Sequence, residues 1–252
     1  MLLLSPMKML VLGIGLSLGA TMTSRAAESH FESSAQQAAL VELYTSEGCS
    51  SCPPAEAWLS RLKNNPGLWK QFVPLAFHVD YWDRLGWRDR FSSKQWTERQ
   101  SRYAALWKSD SVYTPAVVMN GREQRGWSGA DLSQPNDNKP GVLRVTTNNG
   151  KNFAIGFQSE KGTGKDWEAH LALLGCGISS NVRAGENSGR NLSHDFVVLD
   201  LQNAEMKSDS GTARTNLTSS ATIERGARKA VAVWVTARGQ LVPDQATGGW
   251  LP

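Results

Sequence analysis

The sequence is poor in the residues that would assign it to a class at once. It has three cysteines, four histidines and no dense run of lysine or arginine. Three cysteines cannot build a disulfide framework, so buried apolar side chains must hold the fold together. Basic residues are mixed among acidic ones, which argues against a nucleic-acid footprint, since that needs clustered positive charge. A second CxxC is missing, so a tetrahedral zinc site of the four-ligand kind is not indicated. No apolar run reaches the roughly twenty residues of a membrane-spanning helix. The longest apolar stretch, residues 9–20, follows Lys8 and precedes Ser24-Arg25-Ala26.

That arrangement reads as a secretory signal peptide over residues 1–26, cut after Ala26, or else as an uncleaved N-terminal anchor. Lys8 and Arg25 are the only charged residues in the segment, so its removal takes the formal charge from +4 to +2. The expectation is an exported protein, periplasmic or secreted, with no integral membrane domain after cleavage. In an oxidising compartment two neighbouring thiols tend to pair.

At 252 residues the chain has room for one large domain or two ordinary ones. Residues 27–37 are polar and read as a flexible lead-in. Residues 39–44 form an apolar strand, and 53–63 a helix stopped by Asn64-Asn65-Pro66-Gly67. Residues 72–79 read as a second strand and 92–108 as a second helix. A hairpin follows, with 116–119 and 123–127 joined by the strong Asn120-Gly121 turn signal. The loop at 135–141 is the expected domain boundary. Beyond it, 142–147, 152–157, 167–174, 194–201, 212–223 and 230–236 all read as strands, with Gly, Asn and Ser between them. Short strands at regular spacing suggest a mostly antiparallel β-sandwich-like domain over 142–252.

Chemistry concentrates in Cys49-Ser50-Ser51-Cys52-Pro53-Pro54, which follows a strand and opens a helix. Unpaired N–H groups at a helix start favour a thiolate at Cys49, and Cys52 is placed to close a disulfide or resolve a mixed one. The two prolines fill positions whose N–H groups have no helical partner anyway. Glu47 opposes a second negative charge nearby.

A second motif, Tyr113-Thr114-Pro115-Ala116, precedes the hairpin. The series strand, CxxC at a helix start, strand, helix, Thr-Pro, hairpin resembles the thioredoxin superfamily. The resemblance implies an α/β thioredoxin-like domain over 38–134, a mixed sheet with flanking helices, ahead of the β-rich domain. It also implies that Pro115 is cis and packs against the disulfide, with Thr114 offering backbone groups to substrate. More narrowly, residues 41–55, 77–87, 112–115 and 185–190 are similar to the secreted bacterial family known as domain of unknown function 1223. The superfamily pattern implies a closing helix at 129–141, where the sequence has turn-formers instead.

Glu42 is placed like the buried acid that relays protons in thioredoxins; it is either such a relay or an acid paired at a sheet surface. His78 and Asp80 share a strand face at period two, near the sheet edge where α/β sheets place their sites. They either line the site or form a structural histidine–carboxylate pair. Seven of the ten tryptophans fall between Trp58 and Trp127 and either line a peptide groove or pack in a core. Cys176 ends an apolar strand and reads as structural, and Arg190 and His194 as residues that fix a turn or an interface.

The function expected is thiol–disulfide oxidoreduction by Cys49 and Cys52, on a protein or peptide thiol or disulfide, served by a redox partner. It needs no cofactor and no metal ligand set. A non-enzymatic protein with a structural CxxC disulfide is the competing reading. A copper-binding protein using both thiols and His78 is a third.

Overall fold

The computed structural model describes residues 28–252 apart from 130–131, 133–136, 161–165 and 223. The expected signal segment and part of the expected boundary loop lie outside the described residues. Within them the chain begins with β1 (Ser29–Glu32), β2 (Ala39–Thr45), α1 (Pro53–Arg61), β3 (Phe72–His78), α2 (Lys94–Leu106), β4 (Ala116–Met119) and β5 (Arg122–Glu123). It continues with β6 (Gly141–Thr147), β7 (Asn152–Ser159), β8 (Trp167–Cys176), β9 (Ile178–Asn181) and β10 (Asn191–His194). The last strands are β11 (Val197–Glu205), β12 (Lys207–Asp209), β13 (Thr212–Thr218), β14 (Arg228–Ala237) and β15 (Pro243–Trp250).

Local patterning explains several of these elements. Pro53 and Pro54 occupy the first turn of α1, and Ala55, Trp58 and Leu59 are buried. The Ser93 side chain accepts a hydrogen bond from the Gln95 backbone N–H and so caps α2, whose buried stripe is Trp96, Arg99, Gln100, Tyr103 and Ala104. Asn120 and Gly121 both have positive φ, as a tight hairpin turn requires.

The expected fold class is wrong. The protein is mostly β, and it does not divide into a thioredoxin-like α/β domain with flanking helices followed by a separate sandwich. An eight-stranded sheet has the order β15-β14-β8-β11-β3-β2-β4-β5 and draws strands from both sides of residues 135–141. The parallel pairing of β2 with β3 is present. The far edge of β3 is then covered by β11, which joins it in parallel through Val197 and Ala76 and runs antiparallel to β8. The change of texture after residue 141 marks a change in strand length and turn content, and the sheet runs on through it.

A five-stranded sheet, β1-β6-β7-β13-β12, packs on part of the larger one. One core lies between them, with Leu143, Val145, Phe153, Ile155 and Phe157 facing Leu171, Leu173, Val231 and Val233. The alternate residues Ala172, Leu174, Ala230, Ala232 and Trp234 point the other way, into the core shared with β2, β3 and the helices. The expected flexible lead-in contains β1, paired antiparallel with β6. The expected strand 194–201 is instead two strands, broken at Phe196 with φ 58°. No strand was expected at β9, β12 or β15.

Candidate functional site

Strand β2 delivers the chain to the CxxC turn. Backbone hydrogen bonds from Cys49 N to Ser46 O (3.1 Å) and from Cys52 N to Cys49 O (3.2 Å) wind it into the start of α1. Cys49 and Cys52 form a disulfide with Cα atoms 5.4 Å apart. Both residues are 0% exposed. Ser50 and Ser51 are exposed above them, and Ser51 Oγ lies 3.3 Å from Cys49 Sγ.

What closes over this turn comes from far along the chain. A Glu186 carboxylate oxygen accepts hydrogen bonds from Ser50 N (3.0 Å) and Ser50 Oγ (2.7 Å). Asn187, fully buried, donates from Nδ2 to the carbonyls of Glu47 and Cys49, at 2.9 Å each. Arg190 donates to Asn187 Oδ1 at 2.7 Å and steadies the amide. The segment 185–190 is therefore a cover on the CxxC turn. Gly48 keeps the turn close to its other neighbour, because a Cβ there would meet Trp82 Cβ at 3.1 Å.

Trp82 connects that neighbour to the second motif. Its Nε1 donates to Thr114 Oγ1 at 2.8 Å, and the Thr114–Pro115 peptide is cis. Tyr44 pairs with Ala116 at the end of the β2–β4 ladder, so Pro115 and the CxxC turn leave the sheet at the same edge.

A buried polar cluster gathers around Glu47, two residues before Cys49. His78 Nδ1 is 2.6 Å from Asp89 Oδ2, which also accepts from Glu47 N at 2.8 Å. His194 Nδ1 is 2.5 Å from Glu56 Oε2, while its Nε2 is 3.3 Å from Glu47 Oε1. Thr45 Oγ1 donates to Glu56 Oε1 at 2.7 Å, and Trp87 Nε1 donates to Glu47 Oε2 at 2.7 Å. The two imidazole rings meet edge to face, with centroids 5.2 Å apart, against Phe91. Burial by itself would depress the basicity of both rings. The adjoining Glu47 and Glu56 carboxylates overcome it and raise His194 to about 10, and Asp89 likewise raises His78. Asp89 is held below the usual carboxylate range by His78 against the effect of burial, and Glu47 by His194 beside it, also against burial. Among the described residues, Glu56, His78 and His194 form the one His/Cys/Asp/Glu group close enough to share an ion.

The other candidates lie elsewhere. Glu42 is buried, but it points to the opposite face of the sheet from Thr45 and Glu56, as residue parity along β2 dictates. There it receives Arg99 Nε at 2.7 Å, Arg99 Nη2 at 3.0 Å and Tyr103 OH at 2.6 Å. It is the paired acid, with no contact to the cysteines among the described residues. Asp80 lies past the end of β3 and accepts from Thr97 Oγ1 at 2.6 Å; the partner of His78 is Asp89. Trp58 and Trp96 are buried and pack against Trp127 and Phe77, while Trp82 and Trp87 are half-buried beside the CxxC turn. Cys176 is buried, and burial raises its thiol to about 12. Asp89, Glu56, Glu186 and Asn187 were not anticipated. The motif similarity at 77–87 and 185–190 had marked two of the right segments without a mechanism.

Fold and site together define a class: a mostly β protein, of three sheets among the described residues, with one CxxC disulfide covered by a polar loop and a buried histidine–carboxylate cluster that includes Glu47 of the turn before it. The chain belongs to the family described as protein of unknown function (DUF1223), whose profile matches residues 40–236. It is similar to the crystal structure of protein AGR_C_4864 from Agrobacterium tumefaciens, with 28% identity, a TM-score of 0.61, and coverage of 86% of this chain and 95% of that one. It is also similar in fold to HBP35 of Porphyromonas gingivalis, at 12% identity and a TM-score of 0.55, covering 86% of this chain and 76% of that one. No curated protein matches the chain.

Proposed function

We propose that the chain is a thiol–disulfide redox protein that works by opening and closing the Cys49–Cys52 bond. The observation that carries this reading is the disulfide itself, closed in the turn that leads into α1, where the positive end of the helix dipole favours a thiolate when the bond is reduced. In the reducing direction the Cys49 thiolate attacks a substrate disulfide and expels one substrate thiolate. Cys52 then attacks Cys49 Sγ, expels the second, and leaves Cys49–Cys52 oxidised. Two electrons pass to the substrate, and a dithiol reductant returns them. The reverse direction oxidises a substrate dithiol and needs a disulfide oxidant. Either way the 185–190 cover must lift, and Thr114 and Pro115 at the same sheet edge offer backbone to a peptide. Export to the periplasm or outside belongs to the same reading and rests on the pattern of residues 1–26.

A second reading has its own observation: neither sulfur reaches solvent. On that reading the disulfide only pins the start of α1. A redox titration separates the two. A potential between about −120 and −270 mV supports exchange, while one below about −300 mV marks a structural bond. Capture of a mixed disulfide by Cys52→Ser would support exchange independently.

A further inference from the structure

The buried cluster around Glu47 holds a feature that thiol chemistry leaves unused. Glu56, His78 and His194 each bring one donor atom within 4.8 Å of the others, and all three are buried. They come from α1, β3 and β10, so three separate parts of the chain converge there. His78 Nε2 is buried with no hydrogen-bond partner among the described residues, which is costly for an imidazole nitrogen. A histidine that binds a metal commonly passes its second N–H to a carboxylate, which fixes the ring. His78 does this through Nδ1 and Asp89 at 2.6 Å, leaving Nε2 free. His194 Nε2 faces Glu47 Oε1 at an ion-pair distance of 3.3 Å, neither atom making a hydrogen bond among the described residues, which leaves Nδ1 for the position it shares with Glu56.

We propose that Glu56, His78 and His194 form a binding site for a divalent first-row transition ion, with Asp89 and Glu47 orienting the two rings. Two imidazoles and one carboxylate suit zinc and its neighbours, with room for a further ligand. In the metal-free state a proton between His194 Nδ1 and Glu56 Oε2, 2.5 Å apart, takes the place of the ion. Donors bound at about 2.0–2.1 Å around a tetrahedral ion stand about 3.3 Å apart, so Glu56 draws back from His194 by less than about 1 Å, and donors that now stand up to 4.8 Å apart close by at most about 1.5 Å. The dication takes over from the imidazolium charge that balances Glu47, Glu56 and Asp89 in the metal-free state, so binding releases protons. Glu56 lines a cavity of about 460 Å³ bounded by Pro53, Arg61, Arg190 and Leu192, which supplies a route in.

The test uses the untagged chain with its disulfide oxidised, stripped by chelator and dialysed against Zn2+. Elemental analysis should read one zinc per chain, retained after dialysis into zinc-free buffer, and Tm should rise with free zinc. Co2+ in place of zinc should show visible d–d bands and no thiolate charge-transfer band. His78→Gln should lower zinc affinity by at least about tenfold, and Asp89→Asn by about 10–100-fold, while the zinc-free circular dichroism stays that of the wild type. The exposed His30 is the control: His30→Ala should bind as the wild type does. No retained zinc, a thiolate band with Co2+, or equal zinc in folded His78→Gln overturns the proposal. If His78→Gln does not fold, the cobalt spectrum of the wild-type chain decides.

Discussion

Asn187 Nδ2 lies 2.9 Å from the carbonyl oxygen of Cys49, across 138 residues of sequence. This contact makes the environment of the disulfide a property of the whole chain. It also separates the two halves of the cover, since Asn187 is buried and Glu186 is on the surface.

Asn187→Ala should destabilise the protein by about 2–4 kcal/mol, because two buried carbonyls and Arg190 lose their partner at once. Urea denaturation reads this as a lower midpoint at unchanged slope. A loss under about 0.5 kcal/mol, the range of an ordinary surface change, would count against the buried amide.

Glu186→Ala should behave differently. Its contacts to Ser50 are exposed, so stability should hardly change, while the cover loosens over the sulfurs. Reduction of the disulfide by dithiothreitol, followed by thiol alkylation, should become several-fold faster. An unchanged rate would mean that 185–190 does not limit access.

Replacing both Cys49 and Cys52 by serine should cost about 2 kcal/mol, the chain-entropy value for so short a loop. At about 2–4 °C per kcal/mol for a chain of this size, Tm should fall by about 4–8 °C. Scanning calorimetry of oxidised protein and variant measures it; a much larger fall would point to loss of the α1 start itself.

Glu42→Gln should cost about 3–5 kcal/mol by leaving the Arg99 guanidinium buried without its counter-charge. Because Glu42 faces α2, the pH dependence of the disulfide potential should stay that of the wild type. A shifted potential profile with intact stability would restore a proton-relay role.

Acid sensitivity should come in part from His170. Burial, reinforced by Arg99 and Arg102 of α2, lowers it to about 3. It stacks on Trp234 and bonds Thr236 on β14. The unfolded chain takes up this proton near pH 6.5, which the folded chain refuses until about pH 3. Its contribution is therefore full above pH 6.5 and is lost as the pH falls toward 3, with a slope approaching about 1.4 kcal/mol per pH unit. His170→Leu should lose less stability than the wild type between pH 7 and pH 4, read by denaturant titration at each pH.

Much of the local structure is legible in the sequence, because its causes are local. Pro53-Pro54 after Cys52, the Trp96–Arg99–Tyr103 spacing and Asn120-Gly121 each carry their own geometry. The larger sheet is not legible, since nothing near Ala76 announces that Val197 will pair beside it. Strand β15 was hidden by its glycines. Gly248 and Gly249 are there because Cβ atoms would strike Trp69 and Phe31, which a reading by β propensity counts as turn signals. The cysteines were legible as a site. Their seal was not, because Glu186 and Asn187 meet them only through the folded sheets. Of the two roles open to Glu42, the paired acid holds, because one-residue alternation along β2 decides which face it serves.

The shared eight-stranded sheet has a consequence for synthesis. Residues 28–129 cannot finish folding alone, because β3 awaits β11 and the cysteine turn awaits 185–190. A growing chain therefore has both thiols uncovered before their lid exists. The pair is open to thiol chemistry early in the life of the molecule, and is locked away only when the last third arrives.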